Sequence, residues 1–209
     1  MIKGKKMITL YGSPRTSAGR CILTLEELGI KYTIKPVDMR NKEHKSPDFL
    51  KINPNGKVPV MIDNDLTLFE SMAINFYLAD TYKKELLGAS ASDRGLVHQW
   101  SFWANAELQT VLIDIFIQKV FVPEDKRDLK LIENRLNQLP ALFQILDNAL
   151  ANRKYLIGDQ FTLADINTAS VATIATPVGF DLAPYVNIGR WLSLISERAA
   201  YQRYMELRK

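Results

Sequence analysis

Two adjacent hydroxyls, Thr16 and Ser17, sit in a polar loop, GSPRTS (12–17), between the apolar run MITLY (7–11) and a stretch with helical spacing, AGRCILTLEELG (18–29). The run reads as a buried strand entering a loop at Gly12, Ser13 and Pro14, and Gly29 stops the helix whose stripe is Cys21, Leu23, Leu25 and Leu28. Hydroxyls at a helix N-terminus share the unpaired N–H groups and the dipole there, which favour an anion by about 0.3 to 1 kcal/mol. Glu70-Ser71 offers a second such junction, where a strand turns into a helix: Ser71 reads as an N-cap and as a donor to an incoming carboxylate. His44 and Lys45 lie in a polar loop, and Lys57 precedes Val58-Pro59, where Pro59 marks a strand start or edge. Cys21 is the single cysteine, so no intrachain disulfide forms, and with two histidines it supplies too few soft ligands for a zinc site. Its place in an apolar helical stripe predicts a buried, inert thiol. His98, among Trp100, Phe102 and Trp103, reads as packing in a long helix.

The elements that must position these groups fall into two textures. The first strand and helix are followed by KYTIKPV (31–37), a second strand with Pro36 hinting at an edge, so that strand, helix and strand should form a parallel right-handed unit. VPVMID and LTLF are two more strands separated by Asn64 and Asp65, residues that a tight hairpin prefers, and a helix over 71–82 closes this part. KKELLGASAS (83–92) has little periodicity and reads as a linker. Beyond it, 93–118 and 128–151 are amphipathic stretches, with further helices over 163–175 and 188–207 split off by the loop from Pro177 to Pro184. Thr162 and Asp165, three apart, predict a capping box at the start of the 163–175 helix. The expected architecture is α/β plus all-α: an N-terminal domain (1–82) with a mixed four-stranded sheet and helices, a linker (83–92), and an all-helical C-terminal domain (93–209).

A chain of 209 residues fits one large domain or two modest ones, and 47% hydrophobic with 24% charged residues is enough to bury a core. The net charge of +4 is spread along the chain, too dilute for the dense basic stripe of a nucleic-acid binder, and suits a small anionic ligand. No apolar run reaches the length of about 18 residues that crosses a bilayer, and the opening MIKGKKM has no signal-peptide core, so a cytoplasmic protein is expected, without membrane or nucleic-acid partners.

Strand order β, α, β, then β, β, α is the thioredoxin-like arrangement. Redox members of that fold carry a cysteine at the start of the first helix; Thr16 and Ser17 occupy that place here. A hydroxyl cannot exchange disulfides, so the site is suited to holding a thiolate that another molecule brings.

The blocks GSPRTSAGR (12–20), EHKSPDFLKINPNGKVPVMIDNDLTLFESMAI (43–74) and YLIGDQFTLADI (155–166), with the spacing between them, resemble the cytosolic glutathione S-transferases over essentially the whole chain, closest to the phi class and similar bacterial enzymes. The resemblance implies a transferase that conjugates the glutathione thiolate to electrophilic apolar acceptors, with glutathione as co-substrate, no metal, and a homodimer. It implies a cis bond at Val58-Pro59 whose backbone pairs with the cysteinyl residue of glutathione, a Glu70-Ser71 grip on the γ-glutamyl end, and His44 and Lys45 on the glycyl carboxylate. Lys57 stands where those relatives have glutamine and can still reach the tripeptide as a point charge. Their catalytic serine matches Thr16 by spacing; Ser17 lies next to it and Ser13 is a distant third, and the sequence leaves the choice between Thr16 and Ser17 open. For the acceptor, the resemblance points to Ser13 and Pro14 and to Trp103, Glu107 and Val111. Isomerisation or peroxide reduction by the same thiolate, and a non-catalytic binding or interaction protein on the same fold, are the alternatives.

Overall fold

The computed structural model describes residues 7–209, so the lysine-rich opening read above lies outside the described residues except for Met7. The described chain divides into two compact units, residues 7–84 with 198–209 and residues 85–197.

The first unit is built on β1 (Ile8–Tyr11), α1 (Ala18–Leu28), β2 (Tyr32–Lys35), α2 (Pro47–Ile52), β3 (Val60–Asp63), β4 (Leu66–Phe69) and α3 (Ser71–Tyr82). The strands form one mixed sheet in the order β2-β1-β3-β4, with β1 and β2 parallel and the other pairs antiparallel. The edge that Pro36 suggested is real, since β2 pairs on one side only. Ile8 and Leu10 alternate inward from β1, and the buried face of α1 (Cys21, Ile22, Leu25) packs with that of α3 (Ile74, Leu78). The hairpin turns at Asn64, in the left-handed region at φ +56°, and its end is tied down by buried Asp63, which accepts from the Tyr77 hydroxyl at 3.0 Å and the Tyr82 hydroxyl at 2.6 Å. The sequence reading places His44 and Lys45 in a polar loop; the structure makes Glu43–Lys45 a 3-10 turn, followed by α2, which Ser46 caps by accepting from the Phe49 N–H and which Pro47 opens.

The second unit is all-helical. Its stretches 93–118 and 128–151 are each two helices. α4 (Ala91–Trp103) continues through a π-turn (Ala104–Leu108) into α5 (Gln109–Val120). α6 (Leu129–Leu136) breaks before α7 (Leu139–Leu150), whose first turn holds Pro140, tolerated where no intrahelical N–H is needed. α8 (Leu163–Ala172) is buried all round except at Ser170, as a helix at the centre of a bundle must be. Its polar residues are therefore paired: Asn167 donates to the Ser101 hydroxyl at 2.9 Å and Thr168 to the Trp100 carbonyl. α9 (Val186–Ser196) ends the unit.

Two domain boundaries differ from the sequence reading. Of the supposed linker, Lys84–Leu87 is a 3-10 turn, and Ser90 with Asp93 forms a capping box that starts α4, a signal visible in the sequence and passed over. At the other end, 188–207 is not one helix. Arg198 is extended (ψ 135°), and the chain then forms α10 (Ala199–Glu206), which packs on α1 and belongs to the first unit. The cause is electrostatic as well as apolar. Arg198 meets Glu27 through two nitrogens at 2.6 and 2.8 Å, Arg203 meets Glu26 at 2.6 Å, and Ala200 and Tyr204 are buried.

Candidate functional site

Register decides which loops meet. Tyr11 pairs with Lys35 on one side and with Val60 on the other, and Val60 pairs with Phe69. The segments that follow Tyr11, Lys35 and Phe69, and the one that precedes Val60, therefore all leave from the same end of the sheet. They carry, in turn, Thr16 and Ser17, His44 and Lys45, Glu70 and Ser71, and Lys57 to Pro59.

In the first loop Thr16 is a hub. Its hydroxyl donates to the Ser13 carbonyl at 2.9 Å, while its oxygen accepts from the Ala18 N–H at 3.2 Å and the Ser13 N–H at 3.4 Å. Ser17 precedes α1 and makes no side-chain capping bond. Gly12, at φ +135°, is needed for the approach: a Cβ there would lie 2.7 Å from Ala18 Cβ, and 3.5 Å from both Thr16 Oγ1 and Val58 Cβ. The Thr16 hydroxyl and Val58 thus flank one point.

The Val58-Pro59 bond is cis, as the resemblance implied. The loop before it is held by buried Asn53, whose amide donates to the Lys57 carbonyl at 2.7 Å and accepts from the Asn55 N–H. Lys45 donates to the Asn55 carbonyl at 3.2 Å, and Gly56 admits the His44 carbonyl and the Lys45 side chain to within 2.8 Å of where a Cβ would be. His44, Lys45 and Lys57 are brought together in this way. Asn53 and Gly56 were missed by sequence reasoning, although NPNG (53–56) is a strong turn signal. His44 is half-buried, and its Nδ1 is enclosed without a partner among the described residues.

At the fourth segment Glu70 has φ +70° and ψ 110°, a conformation that costs a side-chain-bearing residue on the order of 1 to 3 kcal/mol and persists where surrounding structure enforces it. Ser71, 7% exposed, opens α3, and its carbonyl accepts from the Cys21 thiol at 3.3 Å. Burial pushes that thiol up to about 12, so Cys21 is inert structure between α1 and α3. Arg20 is 4% exposed; burial lowers its pKa against the raising influence of Cys21, Tyr204 and Glu70.

Ser13 and Pro14 belong to the Thr16 loop. Trp103, Glu107 and Val111 lie in the helical unit, where Trp103 is half-buried edge-on to Trp100, Glu107 is exposed in the π-turn and Val111 is buried. A groove of about 660 Å³ lined by Met7, Ile30, Tyr32 and Leu207 lies beside the opening residues of β1 and β2, the opposite end of those strands from the four loops.

Comparison with known proteins agrees with this arrangement. Residues 6–80 match the model for the glutathione S-transferase N-terminal domain and residues 111–199 that for the C-terminal domain. The chain is 35% identical to glutathione S-transferase 1 of Zea mays, over 96% of each chain. It is 36% identical to glutathione S-transferase GstB of Escherichia coli strain K12, over 94% of this chain and 97% of that one. Among solved structures, glutathione S-transferase-I bound with lactoylglutathione superposes with a TM-score of 0.85 at 33% identity, over 97% of this chain and all of that one. The theta class enzyme of Xanthomonas axonopodis pv. citri with glutathione bound does so with the same score and identity, over 94% and 95%.

Proposed function

The chain belongs to the glutathione S-transferase family, and from that premise we propose that it binds glutathione on the four loops at the end of its sheet and adds the glutathione sulfur to an electrophilic carbon of a small apolar acceptor. The observation that carries the reading is the row Lys35, Tyr11, Val60 and Phe69, because its register sends every proposed glutathione contact to one edge. Val58 and Pro59 supply backbone to the cysteinyl residue, Glu70 and Ser71 face the γ-glutamyl end, and His44, Lys45 and Lys57 face the glycyl carboxylate.

Thr16 is the hydroxyl that meets the sulfur. Its oxygen is already fixed by two N–H groups, which polarise the O–H, and it flanks the same point as Val58. On binding, its proton turns from the Ser13 carbonyl to the thiolate. That carbonyl keeps the Thr16 N–H at 3.0 Å and is not orphaned. The exchange trades a neutral hydrogen bond for a charge-assisted one, a net gain of about 1 kcal/mol, and the N-terminus of α1 adds about 0.3 to 1 kcal/mol. Together these lower a thiol of pKa about 8.5 by roughly one unit, leaving a large thiolate fraction at neutral pH. The rest of the rate comes from holding the thiolate against the acceptor. Ser13 and Pro14 border the sulfur on the acceptor side, and Trp103 and Glu107 are the accessible members of the helical set.

Within the family we place the chain with the phi class and similar bacterial enzymes on His44-Lys45, as a cytosolic homodimer; among the described residues no helix is long and apolar enough to cross a membrane. Retention on immobilised glutathione together with turnover of an aryl halide tests the whole reading. Retention without turnover would make the protein a binder, and neither result would leave a scaffold.

A further inference from the structure

We infer that the C-terminal helix positions the thiol-activating loop, and that Tyr204 is the residue through which it does so. The N–H groups of a helix's first turn have no partner within the helix and must find an acceptor outside it. At the start of α1 the Ala18 N–H finds Thr16 Oγ1. Two residues before Thr16, the Pro14 carbonyl accepts from the Tyr204 hydroxyl, across 190 residues of chain, at 3.1 Å. Gly19 is the opening for this reach: a Cβ there would sit 2.6 Å from both the Pro14 oxygen and the Tyr204 hydroxyl oxygen. Arg15, the residue between Pro14 and Thr16, is held in parallel, its guanidinium donating to the Arg208 carbonyl at 2.8 and 3.2 Å. Arg208 in turn lies over the Tyr204 ring at 5.6 Å.

The consequence is a brace. Tyr204 and the Arg208 carbonyl hold Pro14 and Arg15, and with them the turn in which the Thr16 oxygen meets the Ala18 N–H; without the Tyr204 hydroxyl that turn loosens and Thr16 is less firmly oriented. On the proposed reading, in which Thr16 ionises the glutathione thiol, Tyr204 is a positioning residue for the reaction although it touches neither substrate nor sulfur.

Tyr204→Phe removes only the hydroxyl, and Gly19→Ala displaces it with a methyl group. Both are compared with Thr162→Ala, which lowers stability in the helical unit alone. Two measurements are made on the full chain: amide hydrogen exchange across residues 13–20, and the pH profile of kcat/KM for glutathione conjugation. Both loop variants should speed exchange at Thr16, Ala18 and Gly19 by about 2- to 10-fold, the worth of one hydrogen bond, and move the ionisation limb of the profile to higher pH, while Thr162→Ala moves neither. Unchanged exchange and an unchanged limb in Tyr204→Phe overturn the inference. Faster exchange in a chain whose wild type neither retains glutathione nor turns over would keep the brace and remove the proposed function, so the two failures are told apart.

Discussion

At the scale of single residues, the site turns on a hydroxyl whose proton has two possible acceptors. Thr16→Val keeps the shape and removes both donor and acceptor. The thiol of bound glutathione, followed by ultraviolet titration, should then rise by about 0.7 of a pKa unit toward its free value near 8.5, and kcat/KM at pH 6.5 should fall about fivefold. Ser17→Ala should leave the titration where it was; a shift in Ser17→Ala and none in Thr16→Val would exchange their roles. Cys21 gives the opposite expectation. With its thiol pushed up to about 12 by burial, it should resist aromatic disulfide reagents in the native protein at pH 8 and react stoichiometrically once unfolded. Labelling of the folded chain within minutes would refute that. The inertness of Cys21 was legible in the sequence because an apolar stripe at helical spacing implies burial. The internal bonds of Thr16 were not legible, because they depend on where a loop turns rather than on which residues it contains.

Individual elements show how far local pattern reaches. The helix 71–82 and the strands of the hairpin follow the sequence reading closely, since each combines strong periodicity with an unambiguous stop. The α6–α7 and α9–α10 breaks escaped it because the apolar spacing runs on through them. At the start of α8, the Asp165 carboxylate gathers four donors: the N–H groups of Leu156 and Thr162 and the Trp191 indole, each at 2.9 Å, and the Thr162 hydroxyl at 3.3 Å. Thr162→Ala removes one of the four and should cost about 1 kcal/mol. Asp165→Ala strands buried N–H groups from three elements and should cost about 3 kcal/mol or more by denaturant unfolding. Equal costs would mean that the cap acts only locally. Burial also raises this carboxyl to about 6, above its unfolded value, outweighing the hydrogen bonds that favour the ion. Because the folded pKa is the higher one, the native state binds the extra proton. Stability from this group is full below about pH 4 and is lost as pH rises through 6, by about 3 kcal/mol at most. Asp165→Asn should abolish that slope.

For the molecule as a whole, the chain returns to its beginning to finish its first unit. Division of labour between an α/β half and a helical half was visible in the switch from short strands to long amphipathic stretches. The return of 198–209 was hidden, because a surface arginine and its distant carboxylate leave no local pattern. Its energetic centre is the Arg198–Glu27 pair, in which the Glu27 side chain is only 5% exposed and that of Arg198 30%. Arg203, with a 53% exposed side chain, meets a Glu26 that also receives the Tyr32 hydroxyl at 2.6 Å. Removing Arg198 leaves a buried carboxylate without its cation, whereas removing Arg203 leaves one that retains a donor and reaches water more readily. Arg198→Ala should therefore cost about 3 kcal/mol and Arg203→Ala about 1 kcal/mol or less. The loss should appear as faster hydrogen exchange in α1 and α10, with α4, α7 and α8 unchanged. Uniform loosening of both units would show that residues 198–209 do not belong to the first unit in the energetic sense. Loss confined to α1 and α10 would mean that any chain ending before Arg198 lacks part of the unit that carries Thr16.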